Sequence, residues 1–126
     1  MPCVLIVEDD PSVRSCLSRR FEAEGWTVHE SGDPEEALGW ASMHTVDLVL
    51  SDVVMPVMNG PDLVTRIQTL QPEARALLMS GYPESYLAAQ RCAVSVAPML
   101  RKPFQGRTLI TRANAMLASR CSRALP

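Results

Sequence analysis

The sequence predicts an α/β domain in which five strands, each followed by a helix, build one doubly wound, five-stranded parallel sheet, a (βα)5 unit. Three observations carry this. Short β-rich runs alternate with segments of helical period along all 126 residues. The run Val4-Leu5-Ile6-Val7 is apolar on both faces, as expected of a strand covered by helices above and below. The chain is also too short to close an eight-stranded barrel, which leaves an open sheet joined by right-handed crossovers.

The elements follow in order. The first strand stops at Glu8-Asp9-Asp10, and Asp10 suits an N-cap with Pro11 at the first helical position. Val13, Cys16, Leu17, Arg20 and Phe21 trace the inner side of that helix up to Gly25, with Arg20 snorkelling at the edge. Trp26-Thr27-Val28-His29 alternates as a shorter, more exposed strand, and Gly32 breaks it. Asp33-Pro34-Glu35-Glu36 reads as a capping box. The helix it opens turns Ala37, Leu38 and Ala41 inward, with Trp40 near the rim.

Asp47-Leu48-Val49-Leu50-Ser51 is the next buried strand and ends in Asp52. Met55-Pro56-Val57-Met58-Asn59-Gly60-Pro61 is a loop of turn formers. A third helix follows, with Leu63, Val64, Ile67 and Leu70 facing in and Pro72 as its bound. Ala76-Leu77-Leu78-Met79 is the fourth strand, closed by Ser80-Gly81, and a weaker helix covers about Pro83 to Arg91. The fifth strand lies between Val94 and Leu100, where Pro98 suits a sheet edge. The last helix runs from about Arg107 to Ser119, with Leu109, Ile110, Ala113, Met116 and Leu117 inward. The domain is expected to span 1–121, with a frayed tail at 122–126.

Composition narrows the function. The chain is 47% hydrophobic and 21% charged, with 12 basic against 14 acidic side chains and a formal net charge of -2. That is a globular balance without the excess of positive charge that nucleic acid or a polyanion would select. The longest apolar runs are too short to span a bilayer. Met1 to Val4 enters a strand directly, with no basic leader or cleavage site. Cysteines at 3, 16, 92 and 121 are irregularly spaced and read as free thiols. These features imply a cytoplasmic protein with no direct nucleic-acid or membrane partner.

The chemistry gathers at the carboxyl ends of the strands, which in an open sheet border one crevice. The first strand delivers Glu8 and Asp9, the third Asp52, and the fourth Ser80; Arg101, Lys102 and Pro103 follow the fifth. Adjacent carboxylates repel unless a cation compensates them, and oxygen-only ligands favour a hard ion, Mg²⁺ or Mn²⁺. His29 and His44 lie elsewhere. An aspartate beside such an ion can attack phosphorus, while a hydroxyl and an ammonium contact the phosphoryl oxygens. Pro103 restricts the backbone of Lys102 and helps aim it. The sequence has no GxGxxG, GxxxxGK[ST] or GxSxG motif, so the crevice is expected to accept phosphoryl from elsewhere rather than to hold ATP.

Four blocks carry a family resemblance: Val7-Glu8-Asp9-Asp10-Pro11, Ser51-Asp52-Val53-Val54-Met55-Pro56-Val57-Met58-Asn59-Gly60, Met79-Ser80-Gly81-Tyr82 and Arg101-Lys102-Pro103-Phe104. In this order and spacing they resemble a CheY-like receiver domain of two-component signalling, over essentially the whole chain. The resemblance implies a flavodoxin-like sheet with strand order 2-1-3-4-5. It implies that Glu8 and Asp9 hold Mg²⁺, Glu8 through water, and that Asp52 is the phosphoacceptor. Val54 lends the metal its backbone carbonyl, Ser80 is the switch hydroxyl, and Lys102 is the family's lysine. Gly60 stands where the loop after the acceptor turns tightly.

The partners implied are a histidine kinase or a histidine phosphotransfer domain. They dock on the first helix, where Arg14 joins Val13 and Leu17. The output face combines the fourth helix, fifth strand and fifth helix, and a homodimer through that face stays open. The style of the central blocks is most like receivers attached to hybrid histidine kinases. Such a domain catalyses its own phosphorylation and dephosphorylation, and turnover of an external substrate is not expected. Two positions depart from the chemotaxis-type pattern: Met99 replaces an aromatic residue three before the lysine, and Val54 puts an apolar side chain beside the acceptor. These departures keep a second reading alive, a phosphorylation-independent docking module.

Overall fold

In the computed structural model, which describes residues 1–90, 92 and 94–124 (the side chains of 94 and 119–124 excepted), the strands are β1 (Cys3–Val7), β2 (Thr27–Ser31), β3 (Leu48–Asp52), β4 (Arg75–Ser80) and β5 (Met99–Arg101). The helices are α1 (Pro11–Ala23), α2 (Pro34–Ala41), α3 (Gly60–Leu70), α4 (Glu84–Ala89) and α5 (Gly106–Ala124). All pairings are parallel and the order is β2-β1-β3-β4-β5, the flavodoxin-like arrangement. β1 and β3 are central and their side chains alternate between two cores. Leu5, Val7 and Val49 pack toward Ala37, Leu63 and Ile67 on one face. Val4, Ile6, Leu48 and Leu50 pack toward Leu17, Phe21, Leu109 and Ala113 on the other. An apolar run with no alternation is what two covered faces demand.

The caps explain where the helices begin and end. Asp10 accepts from the amides of Ser12 and Val13, ahead of Pro11. At the far end of α1, Gly25 adopts φ 87, and the amides of Gly25 and Trp26 return to the carbonyls of Glu22 and Phe21. That is a Schellman closure, and its apolar contact is an edge-to-face pair of Trp26 and Phe21 at 5.0 Å. Asn59 caps α3 through the amide of Asp62.

Several expectations are corrected. Cys16 is exposed, and Ser18 takes the buried place beside Leu17 and Phe21, because the contact stripe lies one position further round the helix. Leu70, at the end of α3, is 50% exposed, bordering an open hollow with Leu38 and Ser42. The capping box is half-formed. Asp33 accepts from the Glu35 amide, but the Asp33 amide donates to Ser31 Oγ. Glu36 instead meets His29 Nε2 at 3.2 Å. Trp40 is stacked between His29 and His44, ring centroids 4.3 Å on each side.

The fifth strand is three residues long, preceded by a 3-10 turn over Val94–Val96. Pro98 stands outside it, and its carbonyl accepts from Leu78. α5 continues past Ser119 to Ala124. Arg91, Ala93, Leu125 and Pro126 lie outside the described residues, as do the side chains of Cys121 and the rest of the expected tail. Among the described residues no helix is long and apolar enough to cross a membrane.

Candidate functional site

β1, β3 and β4 end side by side, so the residues that follow each strand form one wall. Glu8 leaves β1 with its amide bonded to the Ser31 carbonyl, and it is nearly buried, at 2% exposure. Asp52 is the last residue of β3. Ligand oxygens of Glu8, Asp9 and Asp52 lie within 4.8 Å of one another. Lys102 follows β5 and reaches across, its Nζ 2.8 Å from Asp52 Oδ1 and 2.9 Å from Glu8 Oε2. The peptide bond from Lys102 to Pro103 is cis. The crevice above these groups has a volume of roughly 390 Å³, and Asp10, Val54, Ser80, Gly81 and Tyr82 complete its lining.

Electrostatics set the protonation of the cluster. Burial, together with the Glu8 carboxylate, pushes Asp52 up to about 7 against the partial relief from Lys102. Burial pushes Glu8 upward as well, but its hydrogen bonds to Asp52 and Lys102 outweigh this and hold it below the usual carboxylate range. Burial disfavours the Lys102 ammonium, yet the two carboxylates keep it above its ordinary value. Three carboxylates against one ammonium leave net negative charge at a half-enclosed, oxygen-only site. That donor set fits a hard divalent cation.

The loop after Asp52 explains one glycine. A Cβ on Gly60 would collide with the Asp52 carbonyl oxygen, and the Gly60 amide donates to the Val53 carbonyl at 2.8 Å. The requirement is close approach of two backbones, where a tight turn had been expected. The loop's left-handed residue is Val57, at φ 72 and 85% exposed.

Ser80 is 2% exposed, and its Oγ takes the Tyr82 amide at 3.0 Å. Its hydroxyl is thus held within its own loop. Val54 lines the crevice and is half-buried. Met99 pairs with Leu78 in the sheet and packs against the core that includes Leu87. Two contacts were not foreseen from the sequence. Arg101 donates to the Tyr82 carbonyl at 3.2 Å, and Arg14, expected to face a partner, donates to the Glu8 carbonyl at 2.7 Å. The sign of a charge was legible in each case, but its direction was not.

The family profile of the response regulator receiver domain matches residues 4–114. The chain is 38% identical over 116 residues to the sensor kinase CckA of Brucella abortus, covering 90% of this chain but only 12% of the kinase. It is 29% identical over 117 residues to the response regulator receiver protein CpdR of the same organism, covering 93% of this chain and 98% of that protein. The crystal structure of the receiver domain from the hybrid histidine kinase CckA superposes with a TM-score of 0.77 at 34% identity, over 91% of this chain and 98% of that one. Strand order, acidic cluster and family match agree, and the chain belongs to the response regulator receiver domains, the CheY-like phosphoacceptor modules of two-component signalling.

Proposed function

We propose that Asp52 receives a phosphoryl group from a phosphohistidine on a histidine kinase or a histidine phosphotransfer domain. The observation that carries this is the position of Lys102 Nζ, shared between Asp52 Oδ1 and Glu8 Oε2 at the mouth of the crevice. A Asp52 carboxylate oxygen attacks phosphorus, the bond from phosphorus to the donor imidazole breaks, and an acyl phosphate remains on Asp52. Glu8, Asp9, Asp52 and the Val54 carbonyl would hold Mg²⁺, with Mn²⁺ as a substitute. That ion supplies charge neutralisation at the phosphoryl oxygens. Lys102 follows the developing charge by exchanging one carboxylate oxygen for a phosphoryl oxygen. Ser80 releases Tyr82 and turns its hydroxyl to another, and the pull on the loop after β4 reaches α4, β5 and α5.

Likeness to the CckA receiver supports a kinase or phosphotransfer partner, docked at α1. The likeness to CpdR, matched almost end to end, supports a single-domain regulator equally well. In either setting the domain catalyses only its own phosphorylation and hydrolysis.

The test is incubation with Mg²⁺ and acetyl phosphate, followed by intact-mass measurement. One phosphoryl mass increment is expected in the wild type and none in Asp52→Asn. Absence of any increment, under conditions where a second receiver reacts, would overturn the proposal and favour the docking module.

A further inference from the structure

Arg14 lies in the first turn of α1, and its guanidinium turns into the fold. Nη1 donates to the Glu8 carbonyl at 2.7 Å, and Nε lies 3.7 Å from Glu30 Oε1 on β2. The side chain is 22% exposed. Room for it exists because residue 32 is glycine, where a Cβ would stand 2.6 Å from Nη1. One guanidinium therefore closes the end of β1, the end of β2 and the loop into α2.

The peptide it holds is the one that matters most for the acidic cluster. Glu8 and Asp9 leave β1 there, and the Glu8 carbonyl stands just beyond the strand, which ends at Val7. A nearly buried carbonyl needs a donor. Arg14 supplies it, while the Glu8 amide is fixed by the Ser31 carbonyl at 3.1 Å. With both backbone groups tied, the side chain starts from a fixed peptide, and the Asp10 amide at 3.3 Å from Oε1 and Lys102 Nζ at 2.9 Å from Oε2 set where its carboxylate ends. Groups that orient metal ligands from behind commonly matter about 10-fold or more to metal affinity.

We propose that Arg14 is a positioning residue for the divalent-cation site: seated against Gly32, it fixes the Glu8 carbonyl and so aims the Glu8 and Asp9 carboxylates. The inference rests on the metal reading of the cluster given above. It also moves Arg14 from the partner surface to the support of the site. Gly32 becomes part of the same device, since any side chain there evicts the guanidinium. Because the obstructing atom is the tip of a flexible side chain, Gly32→Ala displaces Arg14 without disturbing the backbone.

The experiment is calorimetric titration of Mg²⁺ into wild type, Arg14→Ala, Arg14→Lys, Gly32→Ala and the Arg14→Ala/Gly32→Ala double variant. Acetyl phosphate labelling at limiting and at saturating Mg²⁺ accompanies it. Arg14→Ala and Gly32→Ala should each weaken Mg²⁺ about 10-fold, and Arg14→Lys should recover part of the loss through a bond to the same carbonyl. The double variant should be no weaker than Arg14→Ala alone, because both changes remove one interaction. Labelling at saturating Mg²⁺ should lose less of the wild-type rate than labelling at limiting Mg²⁺ does. Unchanged Mg²⁺ affinity in both single variants, or losses that add in the double variant, would overturn the role of Arg14. Failure of wild type to bind Mg²⁺ would overturn the metal reading itself, a result the variants cannot imitate.

Discussion

Lys102 Nζ stands 2.8 Å from Asp52 Oδ1 although the two residues close different strands of the sheet. The same ammonium reaches Glu8, so one cation offsets two nearly buried carboxylates. It already satisfies part of what a divalent ion would satisfy, which couples lysine and metal as competitors for the same negative charge.

Removing that ammonium tests the coupling. Lys102→Ala should lower the stability of the metal-free domain by about 1–2 kcal/mol at pH 8, less than for a fully buried pair because Lys102 keeps 28% of its side-chain surface. Added Mg²⁺ should restore most of the loss. Urea denaturation with and without the ion measures both, and an equal deficit in the two conditions would refute the competition.

The protonation of Asp52 predicts an unusual pH profile. Its folded value is raised from 3.8 to about 7, so between those limits the folded state keeps a proton that the unfolded chain has lost. Stability therefore falls as pH rises from about 4 to about 7. Glu8 acts in a different window: its folded value is lowered, so its contribution is present above pH 4.5 and is lost on acidification. Lys102, raised above 10.5, stabilises until alkaline pH. The metal-free melting temperature should decline from pH 5 to pH 8, and Asp52→Asn should flatten the decline. Saturating Mg²⁺ should reverse it, since the ion requires the carboxylate. Parallel profiles for wild type and Asp52→Asn would contradict the assignment.

Gly60→Ala places a methyl group against the Asp52 carbonyl. The backbone must move, at a cost of about 2–3 kcal/mol, and Asp52 moves with it. Chemical denaturation should show the stability loss and intact mass a slowed acetyl phosphate labelling. Normal labelling in a destabilised variant would separate the packing of Gly60 from the alignment of Asp52.

Val57 holds a left-handed backbone at φ 72 with a β-branched side chain. Relief of that strain outweighs the flexibility that glycine adds to the unfolded chain. Val57→Gly should therefore stabilise the fold by about 0.5–1 kcal/mol, read from the shift of a urea midpoint. A loss of stability would show that the exposed valine makes contacts worth more than its strain.

The proposed output path predicts where a phosphoryl mimic acts. Beryllofluoride should alter amide hydrogen exchange mainly between residues 80 and 100, because Ser80 must release Tyr82 and Met99 offers no aromatic rotamer to define two sharp states. Larger changes in α1 and α2 would refute this path.

Much of this was legible in the sequence, for identifiable reasons. Buried strands such as Val4-Leu5-Ile6-Val7 announce themselves by losing alternation, and Asp10-Pro11 marks a helix start through local chemistry alone. The convergence of Glu8, Asp52 and Lys102 followed from topology, since parallel strands end on the same edge. What stayed hidden depended on contacts between segments. Leu70 fits the inward period, but only the packing of the neighbouring segments decides whether anything covers it. Glu36 fits a capping box, yet His29 from β2 draws it away. The family resemblance places Arg14 on the docking surface of the first helix, and no local pattern reveals that Gly32 has left a space for it. Where β5 sits between Val94 and Leu100 was not legible, because Val94 and Val96 have strand propensity while their backbone closes a 3-10 turn.

Among the described residues, α4 has a single buried anchor, Leu87, and every other position of the helix faces water. The rest of the fold leans on two cores that change only at a cost shared by many neighbours. α4 can be respelled almost letter by letter so long as Leu87 stays. A change of surface chemistry along that helix should therefore leave both cores and the acidic crevice as they are, so the wall can be rewritten while the pocket keeps its shape.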